Sequence, residues 1–500
     1  MHTQKVKIPL FRRREDISIQ KRFLIAYIII YQRTWGAVTS LSNKYSVSRQ
    51  FIYNTVELFS EHIDNCFSTE SVNNAPESSL TYILAYRMEG KSSITDISVL
   101  LRRFGLKNSS VGYISETLSR IGNFLGNKLD MPEIECFTFA LCCDEIFAGN
   151  KPILITVDPK SLMILNIELA DKRDLETWSL HFQYIKEQGI NISLLAKDEG
   201  VGLKAAQKVE LPEVPVQSDT FHAVAHRFGL FANRFLTKAY KLISEEYKCA
   251  RLFANAKSEQ NCQKRYDNYW LTVDKTNKAI ELYENFSFLY HCLLECFEPF
   301  DNDGTLKDTN KVTEDFDLAL ELLEQLEVRE VNKEIKSINN CKGDLFTFLH
   351  SATDTYGRLS QSIDIEILKR LCLAWQCKKN GIKAKKSNRN KFFRNKEQRL
   401  LNYAKELCGD DYELIHKTAY EQLNNIIQSS AAVECINSLL RPYLNTMKGK
   451  VTQGFLNLFM YYHNNHKFNS GLRKGKSPIE IATNCQIQEN WLDSVLKKVT

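Results

Sequence analysis

The chain has 500 residues, which is too long for one simple hydrophobic core and predicts roughly two to four domains. Its 43% hydrophobic and 25% charged residues are ordinary for a soluble globular protein, and its net charge of +6 is modest. The local distribution of charge therefore matters more than the total.

The cysteines and the apolar segments exclude two classes of protein. The 14 cysteines contain no Cys-x-x-Cys pair, so they exclude a disulfide framework and indicate reduced thiols in an intracellular protein. The apolar residues 23–31 have about half the length that spans a bilayer, and they predict a core helix. We therefore expect no membrane partner, and a cytoplasmic, nucleoid-associated location if the source is prokaryotic.

Residues 1–65 are predicted to form a helix-turn-helix DNA-binding region that starts with a basic arm over residues 1–20. A short helix ends near Tyr45, residues 46 and 47 form the turn, and Ser48 caps a second helix. That helix exposes side chains that suit contacts with the bases and phosphates of a major groove. They are Arg49, Gln50, Tyr53 and Asn54. An ordinary helical hairpin is the alternative interpretation.

A second helical DNA-binding region is predicted over residues 66–132. The helix over residues 94–105 ends at its glycine, and Ser109 or Ser110 caps the next helix over residues 111–125. Arg102 and Arg103 mark a basic spot at the end of the first of these helices. The two helical regions together predict a bipartite DNA-reading segment ahead of the first strand.

Between residues 133 and 222 the hydrophobic pattern changes from helices to strands. The expected order is three strands, a helix, a strand, a short helix and a short last strand, which predicts a mixed five-stranded sheet with helices on its faces. The turn at residues 158–160 assigns Asp158 a structural role. The five strands are expected at residues 137–143, 153–157, 162–169, 191–196 and 216–217.

Residues 223–428 carry helical patterns throughout and predict a separate helical body. Within it, residues 378–399 contain ten Lys or Arg against the single acid Glu397, with Phe392 and Phe393 among the cations. A basic loop with aromatic residues is a candidate for nucleic-acid contact, and a solvated mobile loop is the alternative. The residues assigned to DNA are Lys385, Lys386, Arg389, Lys391 and Arg394.

Three acids stand at the ends of predicted elements. Asp144 ends the first strand, Asp198 ends the fourth, and Glu434 lies on the helix that residues 431–441 form before Pro442 stops it. Clustered carboxylates repel one another unless a cation is present, and Mg²⁺ prefers carboxylate oxygens. Two such ions support in-line phosphoryl displacement without a nucleophilic side chain. The alternative is three unrelated surface acids.

Four short motifs occur in a characteristic order along residues 137–480. They are Cys143-Asp144, the Lys197–Leu203 stretch around Asp198, the Asp219-x-x-His222 pair, and Glu434 with Asn437 and Arg441 on one helix. In this order, with a helical insertion before the glutamate, the chain resembles DDE transposases. Its layout is similar to that of the Mutator-like transposases and their bacterial insertion-sequence relatives. The resemblance covers the predicted core well. For residues 1–130 it extends only to the general kind of region, a helical DNA-binding segment.

The resemblance implies an α/β RNase H-like core with a mixed five-stranded sheet, an N-terminal all-α helix-turn-helix region and a large all-α insertion. The core would comprise residues 133–222 and 429–500, with residues 223–428 inserted. Asp144, Asp198 and Glu434 would be the catalytic residues and would bind Mg²⁺ or Mn²⁺, two ions per active site. The residues expected to support and orient this site are Asp219, His222, Asn437 and Arg441.

The implied activity is that of a DNA transposase, which binds terminal inverted repeats, cleaves the ends by metal-dependent hydrolysis and joins the 3′-OH to target DNA. The partners would be double-stranded DNA, at the transposon ends and the target, and at least one further copy of the chain. The alternatives are a catalytically inactive DNA-binding regulator, a structure-specific nuclease on the same core, and a helical scaffold protein.

Three assignments stay open on the sequence alone. Asp219 can replace Asp198 as a metal ligand. His222 can orient the site, contact the scissile phosphate, or only hold the insertion against the core. Trp270 and Trp375 can stack on a flipped base or belong to a hydrophobic core.

Overall fold

The computed structural model of the chain describes residues 16–32, 34–67, 79–129, 131, 137–384 and 386–499. The chain divides into two compact units, one before and one after the boundary between residues 78 and 79. In the part of the chain that the structure describes, no helix is long and apolar enough to cross a membrane.

The first unit is helical and contains the predicted helix-turn-helix. Ser46 adopts a left-handed φ of 50° at the turn, and Ser48 Oγ accepts the Phe51 N–H at 3.1 Å, so the helix end at Tyr45 and the cap at Ser48 are confirmed. A small core of Ile25, Leu41 and Ile52 joins the helices. Residues 1–15 of the predicted arm lie outside the described residues. The helices are α1 (Ile19–Tyr27), which continues as a π-helical turn (Ile28–Gln32), α2 (Ala37–Tyr45) and α3 (Arg49–Phe67).

The second unit begins with three helices that share one hydrophobic core with the sheet. Ser110, one of the two predicted caps, accepts the Tyr113 N–H at 3.2 Å. A Cβ on Gly122 would lie 1.8 Å from the Gly454 carbonyl oxygen, so the last of the three helices touches a C-terminal helix backbone to backbone. The three helices are α4 (Ser79–Met88), α5 (Ile94–Arg103) and α6 (Val111–Leu125).

The sheet is mixed and five-stranded, as predicted. Its order is β3-β2-β1-β4-β5, with β1, β2 and β3 antiparallel in succession and β4 and β5 parallel to β1. The predicted end of β1 is wrong, because residues 144–148 pair with β2 and carry the strand on to Ala148. The elements are β1 (Thr138–Ala148), β2 (Lys151–Val157), β3 (Ile164–Leu169), α7 (Leu175–Glu187), β4 (Asn191–Lys197), α8 (Val201–Glu210) and β5 (Val216–Ser218).

A helical segment with its own hydrophobic core follows β5. It starts with a π-helical turn (Phe221–Ala225) and a long helical hairpin. The basic loop predicted at residues 378–399 is wrong in secondary structure, because these residues end one helix and begin the next. The helices are α9 (His226–Ala254), α10 (Glu259–Glu295), α11 (Thr309–Glu324), α12 (Arg329–Asn339), α13 (Lys342–Leu345), α14 (Thr347–Leu359), α15 (Ile365–Lys383), α16 (Ser387–Cys408) and α17 (Tyr412–Leu423).

The chain returns to the sheet through a helix that packs on β1 and β2. Pro442 does not stop this helix, contrary to the prediction. Tyr443 and Leu444 beyond it are buried in the sheet's core, and the Tyr443 hydroxyl donates to the Met88 carbonyl, which stabilises the continuation. The last helices are α18 (Ala431–Met447), α19 (Gln453–Asn465), α20 (Pro478–Thr483) and α21 (Trp491–Val499).

Candidate active site

Asp144 and Asp198 lie side by side at one edge of the sheet. The parallel pairing of β1 with β4 ends at Cys143 and Lys197, and each aspartate is the next residue along its strand. Each aspartate carboxylate is within electrostatic reach of the other, and neither forms an ion pair with a Lys or Arg of the described residues. Two negative charges therefore meet at the point where β4 stops.

Helix α18 brings two polar side chains to the same edge. Asn437 Nδ2 donates to Asp144 Oδ2 at 2.8 Å across 293 residues of sequence. Glu434 lies one turn earlier, and its Oε1 is 2.6 Å from His222 Nε2. The apolar residues Val433, Ile436 and Leu440 bury the opposite face of α18 in the sheet's core, as the helical spacing predicts. The packing of α18 therefore places Asn437 on Asp144 and Glu434 on His222, an imidazole within electrostatic reach of Asp144.

Burial and the neighbouring charges shift the titration of the site. Burial raises the pKa of Asp144 to about 6, and the carboxylates of Asp198 and Glu145 raise it as well, against the lowering effect of a backbone N–H and of His222. Burial lowers the pKa of His222, but the carboxylates of Asp219, Glu434 and Asp144 outweigh this effect and raise it above its ordinary value. The site thus favours a positive charge among its carboxylates.

Asp219 is a clamp between the two ends of the insertion. Its Oδ1 accepts the backbone N–H groups of Phe221 and His222 at 2.8 and 3.0 Å. Its Oδ2 accepts the backbone N–H of Ser430 at 2.8 Å and the Ser430 hydroxyl at 2.5 Å. Because four donors occupy this buried carboxylate, the structure favours a positioning role for Asp219 over the alternative of a metal ligand in place of Asp198.

Thr220 reinforces the same connection. Its N–H and its hydroxyl both donate to the Gln428 carbonyl, at 3.2 and 2.9 Å. The π-helical turn that carries His222 is therefore fixed to the segment that leads into α18. His222 and Glu434 contact each other because they follow Thr220 and Gln428 by only two and six residues.

The residues present fit a divalent cation in their chemistry, although the described residues contain no group of three or more His, Cys, Asp or Glu arranged to hold a metal. Asp144 and Asp198 supply adjacent carboxylates, and Asn437 Oδ1 is buried without a hydrogen-bond partner among the described residues. Carboxylate and carboxamide oxygens are the ligands that Mg²⁺ and Mn²⁺ prefer. Glu434 is engaged by His222, so it would have to turn from the imidazole to join them.

The other predicted site residues lie on exposed surfaces. Arg441 is exposed further along α18 and forms no ion pair with the site acids in the described structure. On α3, Gln50 Nε2 donates to the half-buried Asn54. Lys385 lies outside the described residues. The remaining residues assigned to DNA are exposed: Arg49, Gln50, Tyr53, Arg102, Arg103, Lys386, Arg389, Lys391 and Arg394.

The junction of α15 and α16 lies close to the turn that carries His222, a proximity that no sequence pattern indicated. The Tyr290 hydroxyl donates to the Ala225 carbonyl at 2.7 Å, and the Arg389 guanidinium is within electrostatic reach of that hydroxyl. Lys383 is similarly within reach of Asp219. Arg389 and Lys383 of this junction therefore lie near the turn that carries His222.

The two tryptophans of the insertion occupy different environments. Trp375 is 1% exposed and its Nε1 donates to Asn424 at 2.9 Å, so it belongs to the core of the insertion. Trp270 is half exposed and packs against Tyr266 and Tyr269 on α10. Of the two candidates for base stacking, only Trp270 keeps an accessible ring.

No protein-family model matches the chain, and a search of curated proteins finds no match either. A function for the chain therefore has to be argued from the geometry of the carboxylate site and from the distribution of charge around it.

Proposed function

We propose that the chain is a DDE-type DNA transposase with an RNase H-like core. The observation that carries the proposal is the return of α18 to the sheet edge, where Asn437 bonds Asp144 and Glu434 bonds His222, whose imidazole is within electrostatic reach of Asp144. These residues come from distant parts of the chain and converge where two aspartates already meet. The mixed five-stranded sheet, followed after β5 by a folded insertion that precedes α18, supports the proposed core.

In this proposal Asp144, Asp198 and Glu434 hold two Mg²⁺ or Mn²⁺ ions. Bound ions of this kind activate a water or a 3′-hydroxyl and stabilise the leaving oxygen of the phosphodiester. Asn437 orients Asp144 through its 2.8 Å hydrogen bond. His222 holds Glu434 and can carry a proton at Nε2, since three carboxylates raise its pKa.

The proposed partner is double-stranded DNA. The exposed cations of α3, α5 and α16 suit phosphate contacts, and the first turn of α3 suits base contacts in a major groove. Cleavage and joining at two ends require at least two copies of the chain, because one site acts on one strand at a time. We therefore propose a homo-oligomer, at least a dimer, assembled on DNA.

A structure-specific nuclease is the second candidate, because the same carboxylate site would cleave DNA without joining it. A transposase-derived regulator is the third, and it would bind DNA without either reaction. The adjacent aspartates, with Asn437 bonded to Asp144 and His222 bonded to Glu434, argue against the regulator, since binding alone does not require this arrangement.

One experiment separates the three. The purified full chain is incubated with Mg²⁺ or Mn²⁺, a target plasmid and DNA from the flanks of its own gene, beside Asp144→Asn and Glu434→Gln. Glu145→Gln is the matched control, because Glu145 is the next residue of β1 and pairs with Arg173. Metal-dependent end cleavage and joining, lost in the first two variants and kept in the control, would support the transposase. Cleavage without joining indicates the nuclease, and binding without cleavage the regulator.

A further inference from the structure

Helix α9 carries a basic surface that belongs to none of the predicted DNA-binding regions. Five cations, all exposed, recur at intervals of seven, four, three and seven residues, so they share one helix face. The neighbouring face buries Phe228, Phe235 and Ala239 in the core of the insertion. The basic face of α9 comprises Arg227, Arg234, Lys238, Lys241 and Lys248.

The charge of this face is only partly neutralised, because the single acid at the same helical spacing is Glu245, four residues after Lys241. Arg227 pairs with Glu334 and Arg234 pairs with Glu330 at 3.6 Å, both from α12. Lys238 and Lys241 have no carboxylate within ion-pair distance among the described residues. These two lysines are therefore free to bind an external anion.

A shallow groove of about 470 Å³ lies over the same face. No carboxylate lines it, and its neutral polar groups can each donate a hydrogen bond to a phosphate oxygen. Apart from Leu230, every side chain of the lining ends in a polar or cationic group, which suits an anionic chain. Its lining is Leu230, Asn233, Arg234, Thr237, Lys238 and Lys241.

The basic face also has a fixed relation to the carboxylate site. Helix α9 follows without interruption the π-helical turn that carries His222. At 1.5 Å per residue, Lys238 and Lys241 lie roughly 25 Å along the helix from His222. Phosphates of one DNA strand are spaced by about 3.4 Å, so this distance corresponds to about seven base pairs.

We propose that the basic face of α9 binds the phosphate backbone of duplex DNA beside the cleaved phosphodiester, about seven base pairs from it. This inference rests on the proposed function for the identity of the polyanion. The contact is made to phosphates and is independent of DNA sequence, because lysine and threonine side chains along an exposed helix reach the backbone. The face positions the duplex with respect to the carboxylate site.

The test is the salt dependence of binding to a fluorescent 40-base-pair duplex of arbitrary sequence, measured by anisotropy with the full chain and without divalent metal. The double variant Lys238→Gln/Lys241→Gln is compared with Lys264→Gln/Lys275→Gln, which removes two exposed lysines of α10 outside the groove. We expect the first variant to reduce the magnitude of the slope of log K against log salt by about 1.8, which weakens binding roughly sixtyfold at 0.1 M salt because the two affinities converge near 1 M.

A wild-type slope in Lys238→Gln/Lys241→Gln would overturn the proposal. It would indicate that the basic face of α9 binds an acidic protein partner instead. An equal decrease in the α10 control would also overturn it, because the effect would then follow net charge alone. Thermal unfolding of both variants checks that each is folded. Since binding is measured without metal, the result is independent of catalysis. Failure of the proposed function appears instead as a wild-type chain that binds the duplex but does not cleave it.

Discussion

Replacement of Asp219 by asparagine tests whether the clamp positions α18. The carboxylate accepts four hydrogen bonds, two from the turn at His222 and two from Ser430. A carboxamide keeps one oxygen for the first pair and turns its NH₂ towards the second. The Ser430 hydroxyl can reverse and accept, but the buried Ser430 N–H loses its acceptor, and the loss of charge weakens the other bonds. We expect a total cost of about 3 kcal/mol.

Ser430→Ala is the graded comparison, because it removes one hydroxyl bond and keeps the backbone N–H donor, at a cost of about 1 kcal/mol. The assay is hydrogen–deuterium exchange of residues 428–434 by mass spectrometry, together with urea unfolding. Exchange in this segment should quicken strongly in Asp219→Asn and slightly in Ser430→Ala, and DNA cleavage should fall in the same order. Wild-type exchange in Asp219→Asn would refute the positioning role, whatever happens to activity.

Two further predictions concern stability. Gly122→Ala should lower the unfolding temperature by several degrees, equivalent to about 1–3 kcal/mol, because its Cβ would overlap the backbone of α19. Gly112→Ala is the control on the same helix: its Cβ meets nothing within 4 Å, so the substitution should be neutral or stabilising. Burial lowers the pKa of His463 to about 4, below its unfolded value, so acidification favours the unfolded chain. Stability present above about pH 6.5 should fall by about 2 kcal/mol towards pH 5, and His463→Gln should remove that part of the loss in urea titrations. Equal melting of the two glycine variants, or an unchanged pH profile in His463→Gln, would contradict the respective argument.

The order of strands and helices around the sheet was predictable, because buried apolar runs and alternating segments signal strands locally. The end of β1 was not, because the pattern of residues 144–148 is ambiguous and only the antiparallel partner β2 extends the strand. Asp144 therefore stands within β1, at the point where β4 stops. Its place beside Asp198 depended on which strands are neighbours, and the sequence left that conditional.

The predicted helix boundaries were wrong where tertiary contacts oppose the local conformational preference of the residues. Pro442 removes a backbone donor, yet the buried Tyr443 and Leu444 keep α18 helical beyond it. The basic segment at residues 378–399 is polar enough to suggest a loop, but α15 and α16 pack along each other and hold it helical. The Asp219 clamp had no sequence signal beyond the Asp-x-x-His spacing, because its second pair of donors, the N–H and hydroxyl of Ser430, is 211 residues away.

The Asp219 clamp also affects the entropic cost that the insertion adds to the folding of the sheet with α18. Thr220 and Gln428 are 208 residues apart in sequence but joined by hydrogen bonds, and the residues between them have a hydrophobic core of their own. Once that core has formed, the sheet closes a connection whose effective length is a few residues, so the entropic cost of closure no longer depends on the size of the insertion. The inserted helices other than α13 and α14, which bond β5, can therefore lengthen or shorten without moving Glu434, provided that the two ends still meet at Asp219.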